Sequence, residues 1–327
     1  MNDSLKIVFY TYIIKAKGIS AMNDVIFEAR NLTKKYKEQY ALNDVSISIK
    51  KNRIYGFIGE NGAGKSTLMK IMAGLIFPTS GEMTFMGETD PVAIEQKRTS
   101  TGTMIEGPYL YPGYSVRQNV ELQRILVGNP DESATDRVIE LVGLEDSKKK
   151  KAKKLSMGMK QRLGIAMAMV GNPRFLILDE PINGLDPKNI VTLRGMLKKI
   201  NEDNDCTIFV SSHILSELYL LATDFIFIHK GKIIETLTHE QLEEKCSQFI
   251  LIRNSNIPET VTILEKHFPG TAYKVETDDT VKVFGSSAIM PELSGYLMKA
   301  GIIISELAEK EMSLEEYFIS ITGGTKE

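Results

Sequence analysis

Cysteine is scarce in this sequence, with two among 327 residues, Cys206 and Cys246. They are far apart and match no metal-ligand spacing, which excludes a cysteine-held metal centre. Both are read as reduced thiols of a cytosolic protein. Long apolar runs are missing too. No stretch approaches the ~20 residues that a membrane helix needs. The nearest, IVFYTYII at residues 7–14, is far too short. Nor is there an excess of one charge. Lys plus Arg number 40 and Asp plus Glu 42, for a net charge of −2. No global field therefore recruits nucleic acid or anionic lipid. No long heptad run occurs, which excludes an extended coiled coil. The remaining composition, 43% hydrophobic and 25% charged, is ordinary for a globular chain. The length allows one large core, or a large domain with a small one.

What is present starts after an apolar strand, RIYGFI. There the chain reads GENGAGKST, residues 59–67. The pattern G-x-x-x-x-G-K-[ST] is a phosphate-binding loop. Its glycines let the backbone curl so that successive N–H groups point at phosphate oxygens. The helix expected at about 65–75 adds its positive N-terminal end. The expected phosphate-contacting residues are Gly59, Asn61, Gly62, Ala63, Gly64, Lys65, Ser66 and Thr67. Lys65 would bridge the β- and γ-phosphates of ATP, and the Ser66 hydroxyl would hold Mg²⁺.

Residues 175–180 read FLILDE. Four apolar residues suit a buried parallel strand. Asp179 would then sit at its C-terminal end near Mg²⁺, with Glu180 poised to polarise a water. Just upstream lies LSMGMKQRLGIAMAMVGNP, residues 155–173. Ser156 and Gly158 at a helix N-terminus offer a hydroxyl, close backbone approach and a favourable dipole.

LSxGxxQR followed by such a strand resembles the signature of the ATP-binding-cassette ATPases. The resemblance covers about residues 24–245. It implies that Ser156, Gly158 and Gln161 cap the γ-phosphate of ATP held by another subunit. NGLDP, residues 183–187, matches the loop in which Asp186 contacts that subunit. IFVSSH ends in His213, which matches the switch histidine at the γ-phosphate. Tyr36 is placed like the aromatic that stacks on adenine, with Tyr40 as the alternative. Glu180, His213 and Lys65 are the expected catalytic residues; Ser66, Glu106 and Asp179 are the expected metal ligands.

Glu106 stands where the family normally has Gln. Gln96 and Gln118 do not replace it: one precedes the strand and the other belongs to the following helical pattern. A carboxylate still suits Mg²⁺, which prefers hard oxygen donors. The stretch IEGPYLYP resembles the ATP-binding subunits of bacitracin-export and lantibiotic-immunity transporters, which carry Glu at this loop. Their chains also end in a small extra domain and a tail like SLEEYFISITGG.

The implied fold is α/β: a P-loop NTPase cassette with a mixed core sheet flanked by helices. A helical subdomain is expected at about 88–160, with helices at 115–127 and 134–142. A small α+β ferredoxin-like domain is expected at 246–327, because its elements read β-α-β-β-α-β. Its strands are FILIR, AYKVE, TVKVF and IIISEL. A last helix begins at Ser313, with Glu316 completing a capping box. This domain is read as a pairing or docking element, with ligand sensing as the alternative. The basic run KKKKAKK, residues 148–154, is read as a solvated face, with lipid headgroups or an acidic partner as the alternative.

Lys6 and the residues ISA give the run 7–14 some similarity to a signal peptide. A chain that uses cytosolic ATP sets that reading aside. MND occurs at Met1 and again at Met22. Residues 1–23 are therefore read as an N-terminal extension with the natural start at Met22; a loosely packed arm is the alternative. Altogether the sequence implies an ATPase subunit of a transporter, peripheral on the inner face of the cell membrane. Its expected partners are a second cassette, as an ATP-bound homodimer, and an integral membrane permease, with no nucleic acid. The alternatives are an exporter of lipid, drug or ion with the same engine, or a cassette ATPase outside transport.

Overall fold

The computed structural model describes residues 24–246, 248–284 and 287–322. The reading of Met22 as the natural start falls outside them. The chain forms two compact units, which divide between His239 and Glu240.

In the first unit the elements run β1 (Val25–Tyr36), β2 (Gln39–Lys50), β3 (Ile54–Ile58), α1 (Lys65–Met72), β4 (Ser80–Phe85), α2 (Pro91–Arg98) and β5 (Thr101–Met104). Then come α3 (Val116–Leu126), α4 (Ser133–Leu141), α5 (Met157–Met169), β6 (Phe175–Leu178), α6 (Pro187–Asn204), β7 (Thr207–Ser212), α7 (Leu215–Tyr219), β8 (Asp224–His229) and β9 (Lys232–Thr238). A short helix, α8 (His239–Lys245), spans the division.

Six strands form one sheet in the order β5-β6-β7-β3-β8-β9. All neighbours are parallel except β8 and β9. Strands β3, β6 and β7 are buried at every residue, as strands covered on both faces must be. A second sheet, β2-β1-β4, is antiparallel. Strand β2 alternates buried Val45, Ile47 and Ile49 with exposed neighbours, the period of a sheet wet on one side. Its inner face shares one core with the parallel sheet, through Phe27, Phe85, Phe57, Phe209 and Phe175. This places the C-terminal ends of β3, β6 and β7 side by side, the position where open α/β sheets bind ligands.

Helix ends follow the local sequence. Ser115 and Gln118 form a capping box at α3, and Asp90 and Asp186 cap helices that open with proline. The expected helices at 115–127 and 134–142 are α3 and α4. Helix α5 lies tight against strand β5. A Cβ on Gly102 would collide with the backbone carbonyl of Ala168.

The second unit contains β10 (Gln248–Asn254), α9 (Ile257–His267), β11 (Tyr273–Thr277), β12 (Thr280–Phe284), α10 (Met290–Lys299), β13 (Ile304–Glu311) and α11 (Leu314–Thr322). Its antiparallel sheet has the order β11-β12-β10-β13. This is the ferredoxin-like arrangement, as expected. Ile250, Ile252, Val281 and Val283 pack with Leu264, Leu293 and Leu297 of the helices. Ser313 and Glu316 exchange the two bonds of the capping box, each 3.1 Å. The last strand differs from the sequence reading. It starts at Ile304 and continues to Glu311, which pairs with Gln248. Among the described residues no helix is long and apolar enough to cross a membrane.

Two glycines give a paired test of this packing. Gly102→Ala is expected to cost about 1–3 kcal/mol, because the backbone at Ala168 must move. Gly195 lies within α6 with nothing within 4 Å of an added Cβ. Gly195→Ala is expected to stabilise by about 0.5–1 kcal/mol. Urea denaturation measures both; a neutral Gly102→Ala would show that β5 is not held against α5.

Candidate nucleotide site

The phosphate loop leaves β3 at Ile58 and enters α1 at Lys65. Gly64 caps that helix in the left-handed region, with φ 111°. A Cβ there would also come within 2.5 Å of the Ala41 carbonyl oxygen. Only glycine meets both demands. The loop forms one wall of a cleft of about 210 Å³. Asn61, Gly62, Lys65, Ser66 and Thr67 line it on one side, and Asp179 and Glu180 on another. Lys65 is almost fully buried, and its ammonium donates to the carbonyl oxygens of Gly59 at 2.6 Å and Glu60 at 3.3 Å. It also stands 3.7 Å from a Glu180 oxygen.

The Asp179 carboxylate is the centre of a buried network. Ser66 Oγ donates to one of its oxygens at 2.9 Å, and Ser211 Oγ to the other at 2.7 Å. Ser211 Oγ in turn accepts from the Glu180 backbone N–H at 2.9 Å. These bonds tie together α1, the end of β6 and strand β7. Glu180 has φ 49°, in the left-handed region that non-glycine residues seldom occupy. A His213 ring nitrogen lies 2.7 Å from the Glu180 carboxylate, and the His213 N–H donates to the same oxygen at 3.4 Å. Lys65, Ser66, Asp179, Glu180 and His213 are thus brought together.

Other expected site residues stand apart from the cleft. Ser156 caps α5 by accepting from the Met159 N–H, and Gly158 is buried against Asn189. Asn189 donates to Asp186, which caps α6. These three therefore form one patch of their own. Gln161 is buried nearby on α5, and among the described residues its Oε1 has no hydrogen-bond partner. Tyr36 and Tyr40 both stand half-exposed at the tip of the β1–β2 hairpin, each beside a lysine ammonium. Ala41, next to Tyr40, lines the cleft. Glu106 has φ 61°, and its carboxylate accepts from Lys70 Nζ at 2.6 Å rather than joining Ser66 and Asp179. That bond raises the Lys70 ammonium above its usual pKa.

Three residues of these networks were missing from the sequence reading: Ser211, Lys70 and Asn189. Ser211 was in view, one of two hydroxyls ending the strand IFVSSH. Lys70 lies one helical turn beyond Ser66 and so shares its face of α1.

The fit to a nucleotide with Mg²⁺ rests on this donor set. The loop curls around a cleft at a helix N-terminus, which favours phosphate. Ser66 and Asp179 offer hard oxygens side by side, as Mg²⁺ requires. Ser211→Ala should unpair one buried carboxylate oxygen and the Glu180 N–H. A loss of about 1–3 kcal/mol in stability is expected, with weaker ATP binding in a titration. Unchanged stability and affinity would show that Ser211 does not hold Asp179.

Comparison with known proteins agrees with this geometry. Residues 42–183 match the family model described as ABC transporter. The chain is 36% identical over 299 residues to the bacitracin transport ATP-binding protein BcrA of Bacillus licheniformis, covering 91% of this chain and 98% of that one. It is 42% identical over 230 residues to the lantibiotic transport ATP-binding protein SrtF of Streptococcus pyogenes, covering 69% of this chain and 98% of that one. Among solved structures, it is similar to the dimeric post-hydrolysis state of the ATP-binding cassette MJ0796 bound to ADP and Pi. The TM-score there is 0.59 at 27% identity, over 65% of this chain and 98% of that one. With these relatives and a phosphate loop facing Asp179 and Glu180, the chain belongs to the ATP-binding proteins of ABC transporters and is a nucleotide-binding ATPase of that type.

Proposed function

We propose that this ATPase drives a separate membrane permease in export of, or immunity to, peptide antibiotics of the bacitracin and lantibiotic kind. The observation that carries the cargo class is the likeness to BcrA along 91% of the chain, C-terminal unit included. The chain would work at the inner face of the cell membrane, held there by its permease.

In the chemical step, the backbone N–H groups of the phosphate loop bind the phosphate oxygens. Lys65 turns from the Gly59 carbonyl to the β- and γ-phosphates. Ser66 and Asp179 would hold Mg²⁺, which would neutralise phosphate charge. Glu180 orients the attacking water and accepts its proton. His213, bonded to Glu180, fixes that carboxylate and contacts the γ-phosphate. Tyr36 stacks on adenine, with Tyr40 as the alternative at the same hairpin tip. Ser156, Gly158, Gln161 and Asp186, which do not line this chain's own cleft, serve the nucleotide of a second copy. Two copies bound head to tail would then close over two ATP molecules. Glu106 would add a further oxygen donor to Mg²⁺; the Lys70 bond occupies only one of its two carboxylate oxygens.

Glu180→Gln keeps the shape of the site but removes the base. Turnover should fall by about 10²-fold or more, with an ATP-bound dimer accumulating on a sizing column. In a strain lacking the gene, hypersensitivity to bacitracin or lantibiotics should be reversed by the intact chain and not by Glu180→Gln. Normal turnover in the variant would remove Glu180 from its role. An unchanged antibiotic panel in the deletion strain would overturn the cargo class.

A further inference from the structure

The sheet of the second unit ends at β11, which reads YKVET from Tyr273 to Thr277. Lys274, Val275, Glu276 and Thr277 are exposed. Folded chains commonly blunt a sheet edge with proline, lysines or inward-pointing charges. Strand β11 has no proline, and its two charges are of opposite sign.

The direction of its backbone groups follows from one bond. The Phe284 N–H donates to the Ala272 carbonyl at 2.8 Å, and Tyr273 and Lys274 then stand opposite Val283 and Lys282. In an antiparallel pair, residues alternate between facing their neighbour and facing away. Ala272 and Lys274 therefore face β12. Tyr273 and Val275 present their N–H and C=O groups outward. The side chains leave a matching need. Lys274 stands opposite Lys282, and like charges directly opposite are unfavourable. The Glu276 carboxylate bonds Lys282 at 2.9 Å. Among the described residues, Lys274 itself forms no ion pair. Val275 is 46% exposed, although it stands across from the buried Val281.

We propose that β11 pairs with β11 of a second copy of this chain, antiparallel and centred on Val275. A two-fold axis there makes the contact isologous. The two Val275 residues exchange a pair of backbone hydrogen bonds, and each covers the other's side chain. Lys274 of each copy stands opposite Glu276 of the other, in the close positions between hydrogen-bonded pairs. Centring on Lys274 or Glu276 instead would set two lysines or two glutamates face to face. The charges thus select one register. The opposite edge, β13, suits a second copy less well, since it carries Glu306, Glu309 and Glu311 against Lys310 alone. The contact needs neither ATP nor a permease, and it does not rest on the cargo.

Five residues a side make a weak, transient contact. It is therefore measured on the full chain without nucleotide, by sedimentation equilibrium up to roughly 0.3 mM. A monomer–dimer equilibrium is expected. Lys274→Glu and Glu276→Lys should each weaken it by about tenfold or more, because each sets like charges opposite one another in both cross-strand pairs. An equimolar mixture of the two variants should regain the association, because every cross-strand pair is then again of opposite charge. A fault in folding would not be repaired by mixing, and ATP binding by each variant is the control for the first unit. A nucleotide-free intact chain that stays monomeric over this range would overturn the proposal. So would single variants that associate as well as the intact chain, or a mixture that fails to regain association. ATP-driven pairing of the cassettes is read separately, since Glu180→Gln leaves β11 unchanged.

Discussion

The Asp179 carboxylate, shared by two serine hydroxyls, is the interaction on which the site depends. A buried carboxylate is costly unless its oxygens are hydrogen-bonded. Ser66 supplies one bond from the first turn of α1, and Ser211 supplies the other from β7. Both partners are present only if β3, β6 and β7 end at the same level in neighbouring positions. The order β6-β7-β3 with parallel pairing provides that. Ser211 then also receives the Glu180 N–H, so the placing of Glu180 follows from the placing of Asp179. One carboxylate thus couples the sheet register to the position of the phosphate loop and the expected base.

Two acidic residues at loop ends, Glu106 and Glu180, adopt positive φ values. Such a conformation is strained for a residue with a side chain and is retained where its surroundings determine it. Glu180 is held by Ser211 and His213; Glu106 is held by Lys70. The second pair links the loop after β5 to the helix that follows the phosphate loop.

Much of the site was legible because its signals are local. GENGAGKST specifies its own turn and helix start, and FLILDE specifies a buried strand with acids at its end. The C-terminal order β-α-β-β-α-β was legible from alternating patterns and turns. The contacts of Ser211 and Lys70 were not, because they span 32 and 36 residues of sequence and depend on strand order. Strand β13 was read too short for a related reason. It lies at a sheet edge, where Glu306, Glu309 and Lys310 give it the polarity of a loop. The patch of Ser156, Gly158 and Asp186 was expected only through family likeness, and its proposed use by a second copy rests on that likeness too.

The most direct measurement is the ATP affinity of Asp179→Asn with and without Mg²⁺. Asparagine keeps the shape and can accept from one serine while donating to the other, but it offers the metal no charge. ATP binding without Mg²⁺ should be retained, and the gain in affinity on adding Mg²⁺ should be lost together with turnover. A variant with the full Mg²⁺-dependent gain and normal turnover would contradict the central place given to this carboxylate.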